Sequence, residues 1–379
     1  MLIGVPKEVK THEFRVGLTA ASVKEVVRSG HTVLVQAGAG DGIGQDDAVY
    51  RSAGATVVDG AEEVYGQADL IVKVKELQPS EYALLRAGQV LMTYLHLAPD
   101  RPQATALLAS GCVAIAYETV TDAHGGLPLL RPMSEVAGRL SVQVGAYYLQ
   151  RLQGGAGLLL GGVPGVPAAD VVVLGGGVVG TNAAYVAVGL GARVTVLDRS
   201  MRRLQELDAR FGSTLSTVYA TSPAIEEHVP AADLVIGAVL LPGASAPKLV
   251  RAEVVHQMRQ GAVIVDVAID QGGCLETSHP TTHADPTYIV DGVVHYCVTN
   301  MPSAVARTAS HALNNVTLPH VLALANFGYR QALQDNPYLR AGLNVHAGCI
   351  THPAVAEGLS MPYVPSDQAL GLVTGCGHA

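Results

Sequence analysis

The chain has 379 residues, of which 49% are hydrophobic and 15% are charged, and its formal net charge is −8. This length suits two or three domains, and the low charge content excludes an intrinsically disordered chain. The acidic balance, with no long basic run, argues against a nucleic-acid partner.

The five cysteines are widely scattered and form no C-x-x-C pair, which argues against a zinc site or a disulfide framework. The first ten residues lack the apolar core of a secretory signal. An uncharged run at 171–192 is long enough to span a bilayer, but three consecutive glycines and Asn182 favour a soluble strand–helix–strand unit. We therefore expect a cytoplasmic protein with reduced thiols and no membrane partner.

Strand and helix patterns alternate almost from end to end of the chain, which predicts an α/β architecture with parallel sheets. One helix is predicted from Thr19 to Gly30 and another from Ser80 to Gly88, and a longer one opens at Ser134. Strands are predicted near 31–37, 68–75, 89–96 and 111–117.

The most informative segment is 169–198, which is typical of a dinucleotide-binding unit. A strand, a glycine turn, a helix and a second strand follow one another, and the glycines Gly175, Gly177 and Gly180 have the G-x-G-x-x-G spacing. The turn lets a pyrophosphate approach the helix N-terminus. Asp198 ends the second strand, where a carboxylate accepts ribose hydroxyls and repels a 2′-phosphate. The segment therefore predicts NAD as the cofactor.

The rest of the chain extends this unit and then turns helical after about Pro302. The last segment has no sheet of its own, so we expect it to pack on the N-terminal domain. Six strands suit a doubly wound dinucleotide-binding sheet, and they are predicted near 171–174, 193–197, 214–219, 233–239, 262–268 and 288–298.

We therefore predict an α/β fold of two Rossmann-like domains with doubly wound parallel sheets. The nucleotide-binding domain is inserted into a discontinuous substrate domain. The predicted substrate domain is 1–128 plus 307–379, and the predicted NAD-binding domain is 129–306.

Ligands of open α/β sheets bind beyond the carboxyl ends of the strands, so polar residues that close apolar runs are candidate site residues. Lys73 and Lys75 share one face of a strand. For Lys73 we favour a solvated edge strand, whereas Lys75 is a candidate to hold a carboxylate or polarise a carbonyl. The residues that close the runs are Lys75, His96, Glu118, Asp198, Asp270 and Asn300.

Three positions have both a functional and a structural interpretation: His96, the pair Asp266 and Asp270, and Arg15. His96 is either an acid/base at a strand end or a core histidine. One of Asp266 and Asp270 is structural, and Asp270, facing the following glycines, is the one placed beside a nicotinamide ring. Arg15 lies on a loop, where it is either a surface residue or a bidentate ligand of a substrate carboxylate.

His279 and His283 are four residues apart, but Pro280 disfavours the helix that would pair them as metal ligands. No third ligand is evident, and no nucleophile motif is present. We therefore predict no metal site.

With these residues in view, the chain resembles the NAD-dependent L-alanine dehydrogenases, within the alanine dehydrogenase and transhydrogenase alpha-subunit superfamily. The resemblance runs from IGVPKE (3–8) to about residue 370. Its most specific motifs are HEFRVGLT (12–19), VKVKE (72–76), YLHLA (94–98), MSEVAGR (133–139), LGGGVVGTNAA (174–184), DVAIDQGGC (266–274) and VTNMP (298–302).

The resemblance implies reversible oxidative deamination of L-alanine to pyruvate and ammonium with reduction of NAD, by a homohexamer. It implies that Arg15 and Lys75 hold the substrate carboxylate and carbonyl, that His96 is the acid/base on the substrate oxygen and that Asp270 is a second acid/base. Glu118, Met133 and Asn300 are assigned to the substrate site as well. The implied cofactor residues are Ser134, Gly175, Gly177, Val178, Val179, Gly180, Asp198, Arg203, Ala220, Val239, Leu240, Val267, Ala268, Ile269, Asp270, His279, Val298, Thr299, Asn300 and Met301.

This chain departs from the family pattern at two cofactor positions. His279 stands where an arginine is usual, and Ala220 where a serine is frequent, so we expect the affinity for the nucleotide to differ. The metal-binding residues suggested for some relatives are not evident, because 323 is alanine and 327 is phenylalanine.

Two other functions remain as alternatives. One is the soluble nucleotide-binding subunit of a proton-translocating transhydrogenase, although the R-Q-D-A loop of that family does not occur in this sequence. The other is a non-enzymatic NAD-binding regulator, which would keep the glycine turn but has no need of the acid/base residues.

Overall fold

The computed structural model describes residues 1–239 and 246–372. They form two compact units, one built from Met1–Pro132 with the described residues from Val305 onward, and one from the described part of Met133–Ala304. Each unit has a mostly parallel sheet and surrounding helices, which confirms the predicted fold class. Within the described ranges, no helix combines the length and the apolar composition of a membrane span.

The strands are short, and seven of the fifteen described strands have every residue buried. In chain order they are β1 (Leu2–Val5), β2 (Thr32–Gln36), β3 (Thr56–Val58), β4 (Leu70–Val72), β5 (Val90–Thr93), β6 (Val113–Ala116), β7 (Asp170–Leu174), β8 (Arg193–Asp198), β9 (Leu215–Tyr219), β10 (Leu234–Gly237), β11 (Val263–Asp266), β12 (Thr287–Val290), β13 (Val293–Tyr296), β14 (Leu343–His346) and β15 (Cys349–Ile350).

The α-helices are α1 (Ala20–Arg28), α2 (Asp47–Ser52), α3 (Ala61–Gln67), α4 (Arg101–Ser110), α5 (Arg131–Tyr148), α6 (Val178–Gly189), α7 (Met201–Phe211), α8 (Ser222–Ala231), α9 (Ala252–His256), α10 (Ala306–Asp335), α11 (Pro337–Arg340), α12 (Pro353–Leu359) and α13 (Ser366–Ala369). Short 3-10 helices cover Asp41–Ile43, Pro79–Leu84, Tyr117–Thr119, Arg151–Gln153, Gly212–Thr214, Val267–Gln271 and Met301–Val305.

The sheet of the first unit contains six parallel strands in the order β3-β2-β1-β4-β5-β6, which is the doubly wound order. The central strand β1 and the strand β3 were not predicted. They have four and three residues, and their apolar runs are brief, because Gly4 and Pro6 interrupt the first and Gly54 and Asp59 bound the second.

Among the described residues, the last segment forms no separate sheet, as expected, but it contains two strands that were not predicted. Strand β14 pairs antiparallel with β6, and β15 pairs with β14, so this segment adds an antiparallel edge to the first sheet. The two strands are joined at Ala347 and Gly348, whose φ angles are +48° and +79°. These angles suit a tight hairpin, which glycine favours at its second position.

The sheet of the second unit has the same parallel order, β9-β8-β7-β10-β11-β13, with β12 antiparallel at one edge. The prediction of one strand at 288–298 is wrong, because this segment is the hairpin of β12 and β13. It turns at Asp291 and Gly292, with φ angles of +49° and +78°. Asp-Gly is a strong hairpin signal, so the sheet has seven described strands instead of six.

Two predicted helix starts have different outcomes. Thr19 caps α1 as predicted, and its hydroxyl accepts a hydrogen bond from the backbone N–H of Ser22. Ser80 is not a cap, because a 3-10 helix already begins at Pro79. Its cap is Gln78, whose N–H donates to the Glu81 carboxylate at 2.8 Å.

Candidate functional site

Four predicted site residues of the first unit follow neighbouring parallel strands at one edge of its sheet. Arg15 follows β1, Lys75 follows β4, His96 follows β5 and Glu118 follows β6. Because parallel strands end at the same edge, the topology gathers residues that are far apart in the sequence.

Lys75 and His96 are in direct contact. The Lys75 Nζ atom lies 3.4 Å from Nε2 of His96 and 3.6 Å from the Glu76 carboxylate. Lys75 is 8% exposed, so water solvates its ammonium group poorly. Burial raises the pKa of Glu76, but the ammonium groups of Lys75 and Lys10 prevail and hold it at about 2.

His96 combines an unusual backbone with a perturbed imidazole. Its φ angle is +46°, a left-handed conformation that non-glycine residues rarely adopt. The protein around the ring removes hydration and Lys75 adds positive charge, and both hold the pKa of His96 well below its ordinary range. Part of the residue is still exposed, so a neutral imidazole is accessible to a ligand.

Arg15 is not a surface residue. It is 2% exposed, and its Nε and Nη2 atoms donate to the two carboxylate oxygens of Glu13 at 2.7 and 2.6 Å. The Glu13 carboxylate also accepts the backbone N–H of Arg15 at 3.0 Å. This bidentate pair fixes the plane of the guanidinium group. Sequence reasoning did not single out Glu13, although it lies in the same HEFR motif.

The Glu118 carboxylate interacts with the turn that carries His96. Its oxygens accept the backbone N–H of Leu95 at 3.1 and 3.2 Å, and the N–H of His96 at 2.6 Å. Burial raises the pKa of Glu118, and these hydrogen bonds act in the opposite direction. That Glu118 binds substrate stays a prediction.

The interpretation of Lys73 as part of a solvated edge strand is wrong. Strand β4 lies between β1 and β5, and Lys73 has no exposed surface. Its Nζ atom lies 2.7 Å from the Glu81 carboxylate and 3.2 Å from that of Glu8. Glu8 also accepts the N–H of Val74 at 2.6 Å, so this buried ion cluster holds the segment that leads to Lys75.

Tyr94 is a further residue at this edge that sequence reasoning missed. Its ring stacks on His96 with a centroid distance of 6.0 Å and an interplanar angle of 15°. Its hydroxyl donates to the carbonyl of Leu129 at 2.6 Å. Tyr94 lies two residues before His96 in the YLHLA motif, and that spacing was a usable signal.

In the second unit, the predicted cofactor residues follow the parallel strands at the carboxyl edge. The turn after β7 has the expected close packing: a Cβ atom on Gly180 would lie 1.8 Å from the carbonyl oxygen of Gly175. A Cβ atom on Gly177 would meet nothing within 4 Å, so that position is open. Gly177 caps α6 without a side chain, which leaves the first N–H groups of the helix to a ligand.

Asp198 and Arg203 both bind the glycine turn. The Asp198 carboxylate accepts the N–H of Gly176 at 2.6 Å and the N–H of Ser200 at 2.7 Å. The Arg203 guanidinium donates to the carbonyl of Gly176 at 2.6 Å. The turn, the acid at the end of β8 and the open helix end fit a dinucleotide.

Asp266 and Asp270 differ in burial and in their hydrogen bonds. Asp266 is fully buried, and its carboxylate accepts from the N–H of Cys274 at 2.9 Å and the hydroxyl of Ser278 at 2.7 Å. Asp270 is exposed, and its carboxylate accepts the N–H of Asn300 at 3.3 Å. Asn300 has a φ angle of +60°, so it shares the left-handed conformation of His96.

The remaining cofactor residues differ in exposure. His279 is exposed, and its ring stacks on Tyr288 with a centroid distance of 3.6 Å. Ala220 is buried after β9. Leu240 lies outside the described residues. The others follow β7, β10, β11 and β13 or lie in α5: Ser134, Val178, Val179, Val239, Val267, Ala268, Ile269, Val298, Thr299 and Met301. Met133, assigned to the substrate, is also in α5.

Known proteins resemble this chain over nearly its whole length. The family model described as alanine dehydrogenase/PNT, N-terminal domain, matches residues 4–137, and the corresponding C-terminal domain matches residues 141–353. An alanine dehydrogenase of Halomonas elongata is 57% identical over 371 residues, which are 98% of this chain and 100% of that protein. One of Mycobacterium tuberculosis is 54% identical over 370 residues, again 98% of this chain and 100% of that protein.

The chain belongs to the alanine dehydrogenase family. This confirms the membership that the motifs indicated. A solved structure of an L-alanine dehydrogenase superposes with a TM-score of 0.93 at 55% identity, over 95% of this chain and 99% of that one. A transhydrogenase from Sinorhizobium meliloti has a TM-score of 0.81 at 27% identity, over 93% of this chain and 100% of that one. Membership of the alanine dehydrogenase family makes the protein an oxidoreductase that uses a nicotinamide cofactor.

Proposed function

We propose that the protein is an L-alanine dehydrogenase that converts L-alanine, water and NAD to pyruvate, ammonium and NADH, with release of a proton. The observation that carries the proposal is the contact between Lys75 and His96 beside the buried Arg15, in a chain 57% identical to an alanine dehydrogenase. An oxo acid needs cations for its oxygens and one group that transfers a proton, and these three residues supply both.

We propose that the first unit is the substrate domain and the second is the NAD-binding domain. In the first unit, Arg15 and Lys75 hold the substrate carboxylate and carbonyl. Supporting this, Glu13 fixes the Arg15 guanidinium, so orienting a carboxylate loses little further entropy.

A nucleotide held by the cofactor residues of the second unit would supply the hydride acceptor for Cα of the amino acid. His96 is neutral in the free protein because its pKa is lowered, so it can take the proton from the water that attacks the resulting imine carbon. It returns a proton when the carbinolamine loses ammonia. The exposed carboxylate of Asp270 is proposed as the second acid/base group.

NAD is proposed in preference to NADP because Asp198 ends β8, where its charge repels a 2′-phosphate. We propose that the glycine turn, Asp198 and the other cofactor residues named above bind NAD. The open space beside Gly177 supports binding at the turn. We also propose a homohexamer in the cytoplasm, on the resemblance to the family alone.

The decisive experiment mixes the purified protein with NADH and pyruvate, with and without ammonium, and follows absorbance at the NADH band. Oxidation that requires ammonium is the expected result. Oxidation without ammonium would indicate reduction of the oxo acid to a hydroxy acid. Hydride exchange with an oxidised nucleotide analogue would indicate a transhydrogenase, and binding of NADH without turnover would indicate a regulator.

A further inference from the structure

The two backbone N–H groups of the turn Leu95–His96 donate to one side chain, Glu118, at a point where the ladder of the sheet has ended. Strand β5 ends at Thr93, so the next N–H groups lie beyond the described ladder to β6. The Glu118 carboxylate accepts both the Leu95 and the His96 N–H, the latter at 2.6 Å. Without that acceptor, two backbone donors would lose their partner.

The same turn has the left-handed φ angle of +46° at His96. A residue with a Cβ atom persists in this region only when its surroundings enforce the conformation. The amide of Gln103 donates to the carbonyl of Leu95 at 2.9 Å, so side chains bind the turn through an N–H and a C=O. Of these contacts, the Glu118 contact acts on His96 itself.

The direction of the imidazole depends on this backbone. Because the backbone of a residue sets the direction of its Cα–Cβ bond, the left-handed φ angle directs the ring so that Nε2 lies 3.4 Å from the Lys75 Nζ atom. If His96 relaxed to a common φ angle, its ring would leave this position. The Glu118 carboxylate therefore acts on the His96 imidazole, the proposed proton-transfer group, through the backbone of His96 itself.

We propose that Glu118 is a positioning residue for the acid/base step, and that it acts through the backbone of His96 and not by contact with substrate. This inference rests on the proposed role of His96. It gives Glu118 a different function from the substrate binding that its position after β6 predicts. The Glu118 carboxylate stabilises the left-handed conformation of the turn, and this conformation orients the His96 imidazole.

The test compares Glu118→Gln, His96→Gln and the double variant. Glutamine has nearly the shape of glutamate, but it removes the charge that strengthens the hydrogen bond from the His96 N–H, and it places an NH2 donor where Oε2 lies 3.2 Å from the Leu95 nitrogen. We therefore expect kcat for pyruvate reduction to fall about 30-fold with KM changed less than about threefold. In the His96→Gln background, Glu118→Gln should lower the residual kcat by less than about twofold, because the group that it positions is gone.

Asp233→Asn is the matched control. Asp233 is a buried carboxylate that accepts the backbone N–H of Asp170 at 2.8 Å, at the amino edge of the other sheet. The Asp233→Asn variant should have a lower melting temperature and an unchanged kcat. Glu118→Asp, which is one methylene shorter, is a second variant in case the glutamine variant does not fold. The dissociation constant of NADH, from its fluorescence, should stay within about twofold in all the folded variants.

The outcomes separate the inference from the proposed function. If His96→Gln turns over like the wild type, the proposed role of His96 fails, and the inference fails with it. If His96→Gln is impaired but Glu118→Gln is not, the inference alone is overturned. Losses that multiply in the double variant, or a raised KM with unchanged kcat, would mean that Glu118 contacts substrate. An equal loss of kcat in Asp233→Asn would mean a general loss of stability.

Discussion

The Lys75 Nζ atom lies 3.4 Å from the Nε2 atom of His96, so a cation faces the imidazole. Replacing Lys75 with glutamine should raise the pKa of His96, because the neutral amide no longer repels the imidazolium form. Burial remains, so the pKa stays below the ordinary histidine range. The pKa of His96 is measured by NMR titration of its imidazole signal, which is assigned as the signal that disappears in the His96→Gln variant. Lys24→Gln, on the exposed face of α1, is the control, and an unchanged titration in Lys75→Gln would contradict the prediction.

His96→Gln should lower kcat by about 10²-fold or more, because no other group named at this edge replaces the imidazole as proton acceptor. NADH binding should be nearly unchanged, since the predicted cofactor residues are in the second unit. Steady-state kinetics and NADH fluorescence measure the two effects. His256→Gln, at a histidine whose side chain is 75% exposed, should have wild-type kinetics. Near-normal turnover of His96→Gln would remove it from the mechanism.

Gly180→Ala should weaken NADH binding by about tenfold or more, because the added Cβ atom displaces the turn that is to receive the pyrophosphate. That atom would lie 1.8 Å from the Gly175 carbonyl oxygen. Gly189→Ala is a matched control in the same helix, since its Cβ atom would meet nothing within 4 Å. Isothermal titration with NADH compares the two variants, and equal affinities would refute the assignment of the turn.

Asp198→Asn should raise the kcat/KM for NADPH relative to that for NADH by about tenfold, because it removes a negative charge from the position proposed to face the ribose. Asparagine keeps an oxygen that can accept the N–H of Gly176, so the turn should stay intact. The assay is the reduction of pyruvate with each nucleotide. Asp208→Asn, on the exposed face of α7, should leave the ratio unchanged. A wild-type enzyme equally efficient with both nucleotides would contradict the role of Asp198.

Lys73→Met should destabilise the protein by about 3–5 kcal/mol, because it leaves the buried carboxylates of Glu8 and Glu81 without their cation. Urea unfolding followed by circular dichroism measures the loss. Lys24→Met should change the free energy of unfolding by no more than about 0.5 kcal/mol, as expected for an exposed site. A similar small change in Lys73→Met would show that the ion cluster contributes little.

The sequence by itself determined the α/β class, the glycine turn and the polar residues at strand ends. These signals are local: a run of valines, the spacing of Gly175, Gly177 and Gly180, and a charge that closes an apolar run. The motifs also determined the family. The strands β1, β3, β14 and β15 were not predicted because they lie in brief or interrupted apolar runs, and such short strands form only against their neighbours.

Only the tertiary structure decided which charges are paired and what they hold. Lys73 and Lys75 look alike in VKVKE, yet one lies in a buried ion cluster and the other contacts His96, because Glu8 and Glu81 reach Lys73 from distant parts of the chain. Glu118 looks like a substrate ligand until its carboxylate is seen on the N–H groups of Leu95 and His96. Such contacts depend on strand order and depth of burial, which residue spacing does not encode.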